Sequence, residues 1–261
     1  MRNLSALVPA RRGLVVLVGI AAAALGGCGG GNEDILPSGP RVGTGPEGYE
    51  RGKTRVRDVI QVRSKGHLEP HELEAGVSPH RAALGDCYLR RLGDHKFLRG
   101  DLVLQAVIES TGQVGEARII ESDVGDWVVE RCVIDEARTM RFDPPRGGKQ
   151  VVFSVPLHFA SDQPPMAIWA GPRTAASAAR HTRELDACAG AARVPPPGEV
   201  TVTMYVTTDG AVAAIGFGSD HPSPVHEAWA DCAARTIGRW VFDDPGEQMV
   251  KESFPYRPKQ P

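Results

Sequence analysis

The sequence predicts an α+β protein made of two tandem units, in each of which two helices pack on a small three-stranded antiparallel sheet. Three observations predict this fold. The chain after residue 55 contains one pattern twice, its strand-like segments alternate apolar and polar residues, and four of its cysteines form two pairs of nearly equal spacing. Alternation with a period of two is typical of a half-buried strand, whereas apolar spacings of three to four indicate an amphipathic helix.

The repeat is defined by anchor residues at nearly constant spacing. Gly100 and Gly198 each open a strand, and in both copies a turn glycine follows 12 residues later. Cys132 and Cys232 are each followed, ten residues on, by a Phe-Asp sequence. Each copy then ends in a strand-like segment that contains a proline. Because so many anchors agree, we interpret the two copies as one supersecondary unit used twice.

Each element of a copy has its own signal. In the first copy, Ser78 followed by Pro79 predicts a helix start, and Gly93 predicts the end of that helix. Residues 200–207 of the second copy alternate cleanly, whereas residues 102–109 leave the strand register ambiguous because both faces are partly apolar. A turn pair ending in glycine separates the two strands of each copy. A second helix with an apolar stripe follows in each.

The final strand of each copy is predicted to lie at the edge of its sheet. Pro156 and Pro255 cannot donate a backbone hydrogen bond, and proline within a sheet is confined to edge strands, strand starts and bulges. An edge strand offers unpaired backbone groups to an extended partner. The candidate binding residues on these strands are Val151, Phe153, Val155, Phe254 and Tyr256.

Residues 1–27 have the composition of a lipoprotein export signal. Three arginines precede an apolar run at residues 14–25. This run is too short to cross a hydrocarbon core of about 30 Å, but it has the length of the apolar part of a signal peptide. It ends in Leu-Gly-Gly before Cys28, which resembles a lipobox. We therefore expect cleavage before Cys28 and lipid attachment to its sulfur; the alternative is a secreted chain with a stray thiol.

Composition divides the remaining chain into segments. Residues 28–55 are rich in glycine and proline without apolar periodicity, which predicts a flexible tether. Residues 56–160 and 174–258 are the two folded units, and the proline-rich residues 161–173 are the expected linker. The expected location is the cell envelope, with the protein held in a membrane by its lipid. Gly29, where an aspartate would favour retention at the inner membrane, favours the outer membrane.

The four remaining cysteines predict disulfides. Cys132 lies 45 residues after Cys87, and Cys232 lies 44 residues after Cys188. An exported chain is in a compartment where disulfides persist. Four cysteines allow three pairings, of which only the pairing within each copy respects the repeat, and we expect that one. Four reduced thiols or a zinc site are the alternatives, although no Cys-x-x-Cys sequence supports zinc.

The sequence contains no recognisable catalytic motif. No Gly-x-Ser-x-Gly sequence is present, and no cysteine remains once lipid and disulfides are assigned. His67 and His71 are four residues apart, as metal ligands on a helix would be, but Pro70 lies between them and favours a solvated, non-helical segment. We therefore predict no enzymatic activity, cofactor or metal. A formal net charge of −2 without a long basic run argues against nucleic-acid binding.

The first copy resembles a known family. The residues that carry the resemblance are Arg81, Leu84, Cys87, Tyr88, Gly100, Asp101, Gly112, Val114, Ser122, Cys132, Met140, Arg141, Phe142, Pro144, Pro145, Gly147 and Gly148. This order resembles the AgmX/PglI C-terminal domain, which is similar to the TonB C-terminal fold of two helices and three strands. Residues 56–160 match well. Residues 174–258 match less closely, since Ala189 replaces the tyrosine and the Gly-Gly pair is lost.

The resemblance implies a role in the cell envelope. The family is associated with gliding machinery and envelope proteins, and TonB itself transmits energy from the inner membrane to outer-membrane receptors. Cleavage before Cys28 is expected to leave no helix that could couple to an inner-membrane motor. We therefore favour a non-enzymatic binding or scaffolding protein whose partners are envelope proteins or peptides of unknown identity. The alternatives are a component of a TonB-like energy-transduction or gliding system, and an envelope enzyme with an unrecognised site; the oligomeric state is left open.

We predict that the mature protein begins at Cys28 and carries a diacylglyceryl group on that sulfur. Mass spectrometry of the protein purified from membranes tests this directly. Replacing the sulfur in Cys28→Ser should release the chain from the membrane fraction. Recovery of a mature protein that still contains residues 14–25, without added lipid mass, would contradict the prediction.

Overall fold

The repeated pattern of the sequence reappears in the order of helices and strands. The computed structural model describes residues 55–56, 59–61, 65–164, 166–168, 172–195, 197–219, 225–243 and 248–258. The strands are β1 (Arg55–Val56), β2 (Ile60–Gln61), β3 (Gly100–Ile108), β4 (Val114–Ser122), β5 (Val151–Phe159), β6 (Ala167–Ile168), β7 (Val200–Val206), β8 (Val212–Gly218) and β9 (Val250–Tyr256). The helices are α1 (Pro70–Val77), α2 (Arg81–Leu92), α3 (Trp127–Thr139), α4 (Pro172–Ala192) and α5 (Glu227–Ile237).

Two sheets with the same central topology form the framework. The first has the strand order β1-β5-β3-β4, with β2 also paired to β5, and the second has the order β6-β9-β7-β8. In each sheet the three central strands are antiparallel, which confirms the α+β class with antiparallel sheets. The expectation of only three strands per sheet is wrong, because short strands from neighbouring segments extend both sheets. Residues Gly48–Pro261, including both copies, belong to one compact unit.

A shared backbone contact explains two of the repeat's anchors. Gly112 and Gly210 occupy the hairpin turns with φ near +82° to +84°, a conformation that favours glycine. The carbonyl oxygen of Gly112 accepts a hydrogen bond from the Phe142 N–H at 2.9 Å, and that of Gly210 accepts one from Phe242 at the same distance. A side chain on either glycine would clash with the phenylalanine carbonyl. The fixed spacing therefore secures the hairpin to the end of the following helix.

The two central strands differ in how many faces they bury. In β3 the inward residues Leu102, Leu104, Ala106 and Ile108 are buried, and the residues between them are partly exposed. This resolves the ambiguous register. In β7 the clean alternation predicts one buried face, but Thr203 and Tyr205 are buried as well. Their face is covered because the first copy packs against it.

The segment before α2 is more helical than the sequence predicts. Pro70 occupies the first turn of α1, where its missing N–H costs nothing. Glu69 and Glu72 form a reciprocal capping box at the start of this helix. The expected non-helical segment is therefore wrong, and His71 lies within α1. Ser78 begins a single 3₁₀ turn that leads into α2, so the first copy has a helix more than expected.

Both disulfides form as the repeat predicts. Cys87 pairs with Cys132 and Cys188 pairs with Cys232, each with a Cα–Cα distance of 5.6 Å. Each bond links the two helices that cover the inner face of its sheet. The pairing within each copy is confirmed.

The expected linker is part of the fold. Ser161 is buried, and its hydroxyl donates a hydrogen bond to the Lys96 carbonyl. The Arg99 guanidinium binds the carbonyl oxygens of Gln163 and Pro164. The linker also supplies β6, which pairs in parallel with the start of β9. In the part of the chain that the structure describes, no helix is long and apolar enough to cross a membrane.

We predict that removing either disulfide lowers the free energy of unfolding by about 4 kcal/mol, since each closes a loop of about 45 residues in the unfolded chain. The double variants Cys87→Ala/Cys132→Ala and Cys188→Ala/Cys232→Ala can be compared with the wild type in urea titrations. The wild type in reductant provides the control and should lose the sum of both effects. A wild-type midpoint that does not respond to reductant would contradict the prediction.

Candidate functional site

The sequence-predicted site residues fall into two groups. Cys28 lies outside the described residues, as do the whole export signal and the tether up to residue 54. The five residues predicted for binding on the final strands are in the core, with exposed fractions of 0% to 6%. They are Val151, Phe153, Val155, Phe254 and Tyr256. These side chains face the helices, so a partner at these strands would have to bind backbone groups and outward side chains.

The outer edge of β5 is occupied by the chain itself. Arg55 and Val56 pair with His158 and Leu157, and β2 pairs with Phe153 and its neighbour. Pro156 lies between these two pairings, at the position where the added strands are interrupted. This arrangement follows from chemistry, since proline has no N–H to offer an outer strand. The prediction that β5 is an edge strand is wrong, although Pro156 does face the outer side.

The outer edge of β9 is only partly covered. β6 pairs with Val250 and Lys251, whereas Ser253, Phe254 and Pro255 have β7 as their only strand partner among the described residues. Ser253 and Pro255 are exposed there. This edge is equivalent to the one that β1 and β2 cover in the first copy, and no described strand covers it at Ser253–Pro255.

The hydrogen-bonding pattern shows which β9 groups point outward. The Phe217 N–H points away from β7, because it donates to a side chain of the first copy. Phe217 lies opposite Val202, and Val202 lies opposite Phe254. Opposed residues of an antiparallel pair exchange both backbone hydrogen bonds or neither. Val202 therefore forms no backbone hydrogen bond with Phe217, and its N–H and carbonyl point towards β9. Phe254, which lies opposite Val202 on β9, thus exchanges its backbone hydrogen bonds with β7. The backbone groups of Ser253 and Pro255 therefore point outward.

The two copies meet where α3 begins and β8 ends. Gly216 and Gly218 lie on β8, and added Cβ atoms there would contact α3 and β4. At Gly216 the Cβ would clash with the Glu130 carboxyl and lie 2.7 Å from the Asp126 nitrogen. Gly125, at φ +69°, packs on the buried outer face of β7. Glycine in a strand interior often marks such a close backbone approach.

Glu130 is the buried polar centre of this junction. Its side chain is completely buried. Oε2 accepts a hydrogen bond from the Phe217 N–H of the second copy at 2.7 Å, and Oε1 lies 2.7 Å from the Ser122 hydroxyl of the first. Burial raises the pKa of this carboxyl well above its usual value, and the nearby Asp126 carboxylate raises it further. The two hydrogen bonds only partly oppose these effects.

Ion pairs flank the buried centre on the helical side. Arg131 of α3 lies 2.9 Å from both the Asp231 and the Glu227 carboxylates of the second copy. Arg138 also pairs with Glu227, and the Trp127 indole donates to Asp231 at 2.8 Å. Half-exposed pairs of this kind each contribute little alone, but together they fix the register of α3 on α5.

A second polar cluster closes the opposite side of the junction. The Tyr205 hydroxyl and the Lys251 ammonium both donate to the Arg99 carbonyl, at 3.2 Å and 3.3 Å. Lys251 also lies 3.4 Å from the Asp123 carboxylate, and Phe97 packs on the Tyr205 ring at 4.8 Å. Burial lowers the pKa of Lys251 and raises that of Tyr205. The first copy thus contacts the second on both sides of Glu130.

A polar cleft of about 540 Å³ opens between the two sheets. Four carboxylates line it, from Asp101, Glu121, Asp123 and Glu199. Three of them have partners: Asp101 binds His158 at 2.8 Å, Asp123 binds Lys251, and Glu199 binds Arg257. Within the described ranges, no group of three or more His, Cys, Asp or Glu side chains is arranged to hold a metal ion.

A comparison of the two copies could have indicated the junction residues from the sequence. Aligning the helix cysteines places Glu130 opposite Ala230, and aligning the hairpin glycines places Gly216 opposite Arg118. A carboxylate on an apolar helix face, and a glycine within a strand, are both unusual for packing alone. Each occurs only in the copy that uses it at the junction.

Comparisons of the chain with protein-family models, with curated proteins and with solved structures find no match. Function is therefore inferred from the residues and geometry of the chain itself.

We predict that Gly216→Ala destabilises the protein by about 1–3 kcal/mol, because the new methyl group overpacks the junction. Gly190→Ala is the matched control, since a Cβ at that position in α4 meets nothing within 4 Å. It should be neutral or stabilising by up to about 1 kcal/mol, as expected for Gly→Ala in a helix. Urea unfolding measures both. Equal effects of the two substitutions would contradict the close packing at Gly216.

Proposed function

We propose that this protein is a lipid-anchored, non-enzymatic binding or scaffolding protein of the cell envelope, composed of tandem TonB-C-like units. The apolar run ending at Cys28 supports export and lipidation. The two disulfides support an oxidising compartment. The resemblance of residues 56–160 to an envelope family supports the location, with the outer membrane favoured. The partners are envelope proteins or peptides.

The open part of the β9 edge is the observation that carries the binding proposal. In the first copy the equivalent edge, on β5, accepts two short strands of the same chain. The molecule thus contains an example of strand addition at this position of the fold. In the second copy, the strand pairing on that side within the described residues involves Val250 and Lys251. An extended segment of a partner would complete the second sheet as β1 and β2 complete the first.

The chemistry of the edge defines the partner's contacts. Strand addition gains affinity from backbone hydrogen bonds, while side-chain contacts provide specificity. The Ser253 N–H is the donor available beside residue 251, and Pro255 offers only its carbonyl. A partner segment would therefore form a short ladder centred on Ser253. The side chains beside it are the exposed Ser253, Pro255 and Arg257.

We predict that Ser253→Pro abolishes partner capture, because it removes the outward N–H, while Ser253→Ala keeps this donor and retains capture. A photoreactive amino acid at Arg257, introduced in intact cells, would capture the partner at the edge. The same group at the exposed Arg183 of α4 provides the background. The proline variant should reduce the specific crosslink at least tenfold, with the disulfides still formed.

Two outcomes would contradict strand addition at this edge. One is a specific crosslink that survives Ser253→Pro at the level of Ser253→Ala. The other is the same set of crosslinked neighbours from Arg257 and from Arg183. In either case the partner would contact another surface or no partner would be bound.

A further inference from the structure

The junction between the copies contains a buried carboxyl group, that of Glu130. Among the described residues, Glu130 takes part in no ion pair, and its two contacts are the Ser122 hydroxyl and the Phe217 N–H. Two arginines at the junction are held by other acids: Arg91 binds Asp126 at 2.8 Å, and Arg131 binds acids of α5. A buried carboxylate without a cation is strongly disfavoured relative to the neutral acid.

The charged groups on the elements around Glu130 do not change this balance. Strand β8, which carries Phe217, has no ionisable residue. The ionisable groups on the other elements packed against α3 are Arg81, Asp86, Tyr88, Arg90 and Arg91 of α2, Asp101 of β3, Glu116, Arg118 and Glu121 of β4, and Glu227, Asp231 and Arg235 of α5. The Asp126 carboxylate, one turn earlier on the same chain segment, is the charge that acts on Glu130, and it also disfavours ionisation.

We propose that Glu130 is a proton-controlled latch, which fastens the two copies together as a neutral acid and loosens their junction when it ionises. In the neutral form the Oε1 hydrogen is donated to the Ser122 hydroxyl, and Oε2 accepts the Phe217 N–H. Both contacts are then satisfied without a buried charge. Loss of the proton leaves a desolvated anion beside Asp126, and water is admitted only if α3 separates from β8.

The direction of the pH dependence follows from the raised pKa of Glu130 in the closed junction. In the open junction the carboxyl is solvated and titrates near its ordinary value of about 4.3. Between the open-state and the closed-state pKa of Glu130, the closed form binds more protons than the open form. The junction is therefore tightest below about pH 4.3 and weakens as the pH rises. The equilibrium constant for opening the junction rises by up to tenfold per pH unit, and it stops rising above the closed-state pKa of Glu130.

Opening has a structural consequence at β8. The outward N–H of Phe217, which Glu130 occupies, would become available, together with the rest of that strand edge. A second edge for an added strand would thus appear as the pH rises. The latch itself does not depend on the proposed binding at β9, and it can be tested without any partner.

The decisive experiment measures amide hydrogen exchange of the full chain between pH 4 and 9. Protection of the Phe217 amide, corrected for intrinsic exchange, should fall up to tenfold per pH unit over part of this range. In Glu130→Gln, whose amide preserves both hydrogen bonds without a titrating group, that protection should be independent of pH. Glu121→Gln removes an exposed carboxylate of β4 and should behave like the wild type. Val202, in the core of the second copy, reports global unfolding.

Two results would overturn the latch. One is a Phe217 protection profile that is the same in the wild type and in Glu130→Gln. The other is a titration of the Glu130 side-chain carboxyl carbon, followed by NMR in the wild type, that gives an ordinary carboxyl pKa. The NMR measurement decides the question even if Glu130→Gln fails to fold. A change limited to alkaline pH and shared by both proteins would be a case of the first result, and it would be assigned to loss of the proton from the Lys251 ammonium.

Discussion

The union of the two copies depends on one buried hydrogen bond, from the Phe217 N–H to the Glu130 carboxyl. A strand edge that becomes buried must satisfy its backbone groups, and an unsatisfied buried N–H costs about 1–3 kcal/mol. Another strand would be the usual solution. Here a side chain from the start of α3 takes that place. The glycines at positions 125, 216 and 218 follow from this choice, because larger residues would keep α3 at a distance.

Sheet edges explain the asymmetry between two units with the same topology. Exposed edges invite uncontrolled pairing, and proteins cover or interrupt them. The first copy covers β5 with β1 and β2, and the second covers β8 with Glu130 and the start of β9 with β6. The proline in each final strand interrupts what remains. Among the described residues, the final strand is therefore covered along both ends in the first copy and only at its start in the second.

The repeat, the hairpins and the disulfide pairing could be predicted because they depend on spacing along the chain. The buried outer face of β7 could not, since Thr203 and Tyr205 alternate with apolar residues as a solvent face would and are buried only by the first copy. Strands β1, β2 and β6 have two residues each, too short for any periodic signal. The position of Pro156 indicated which side of β5 faces outward, but it did not indicate which chain segment covers that side.

The differences between the copies indicate which residues serve the assembly rather than the fold. Ala230, the counterpart of Glu130, is fully buried within its own unit, so the fold itself needs only a small apolar residue there. Arg118, the counterpart of Gly216, has a long side chain that donates a hydrogen bond to Gln105 at 2.7 Å. At these two pairs of aligned positions, the buried carboxyl and the strand glycine therefore lie where one copy meets the other. Glu130 and Gly216 are each unfavourable for the fold of their own copy, and together they form the junction.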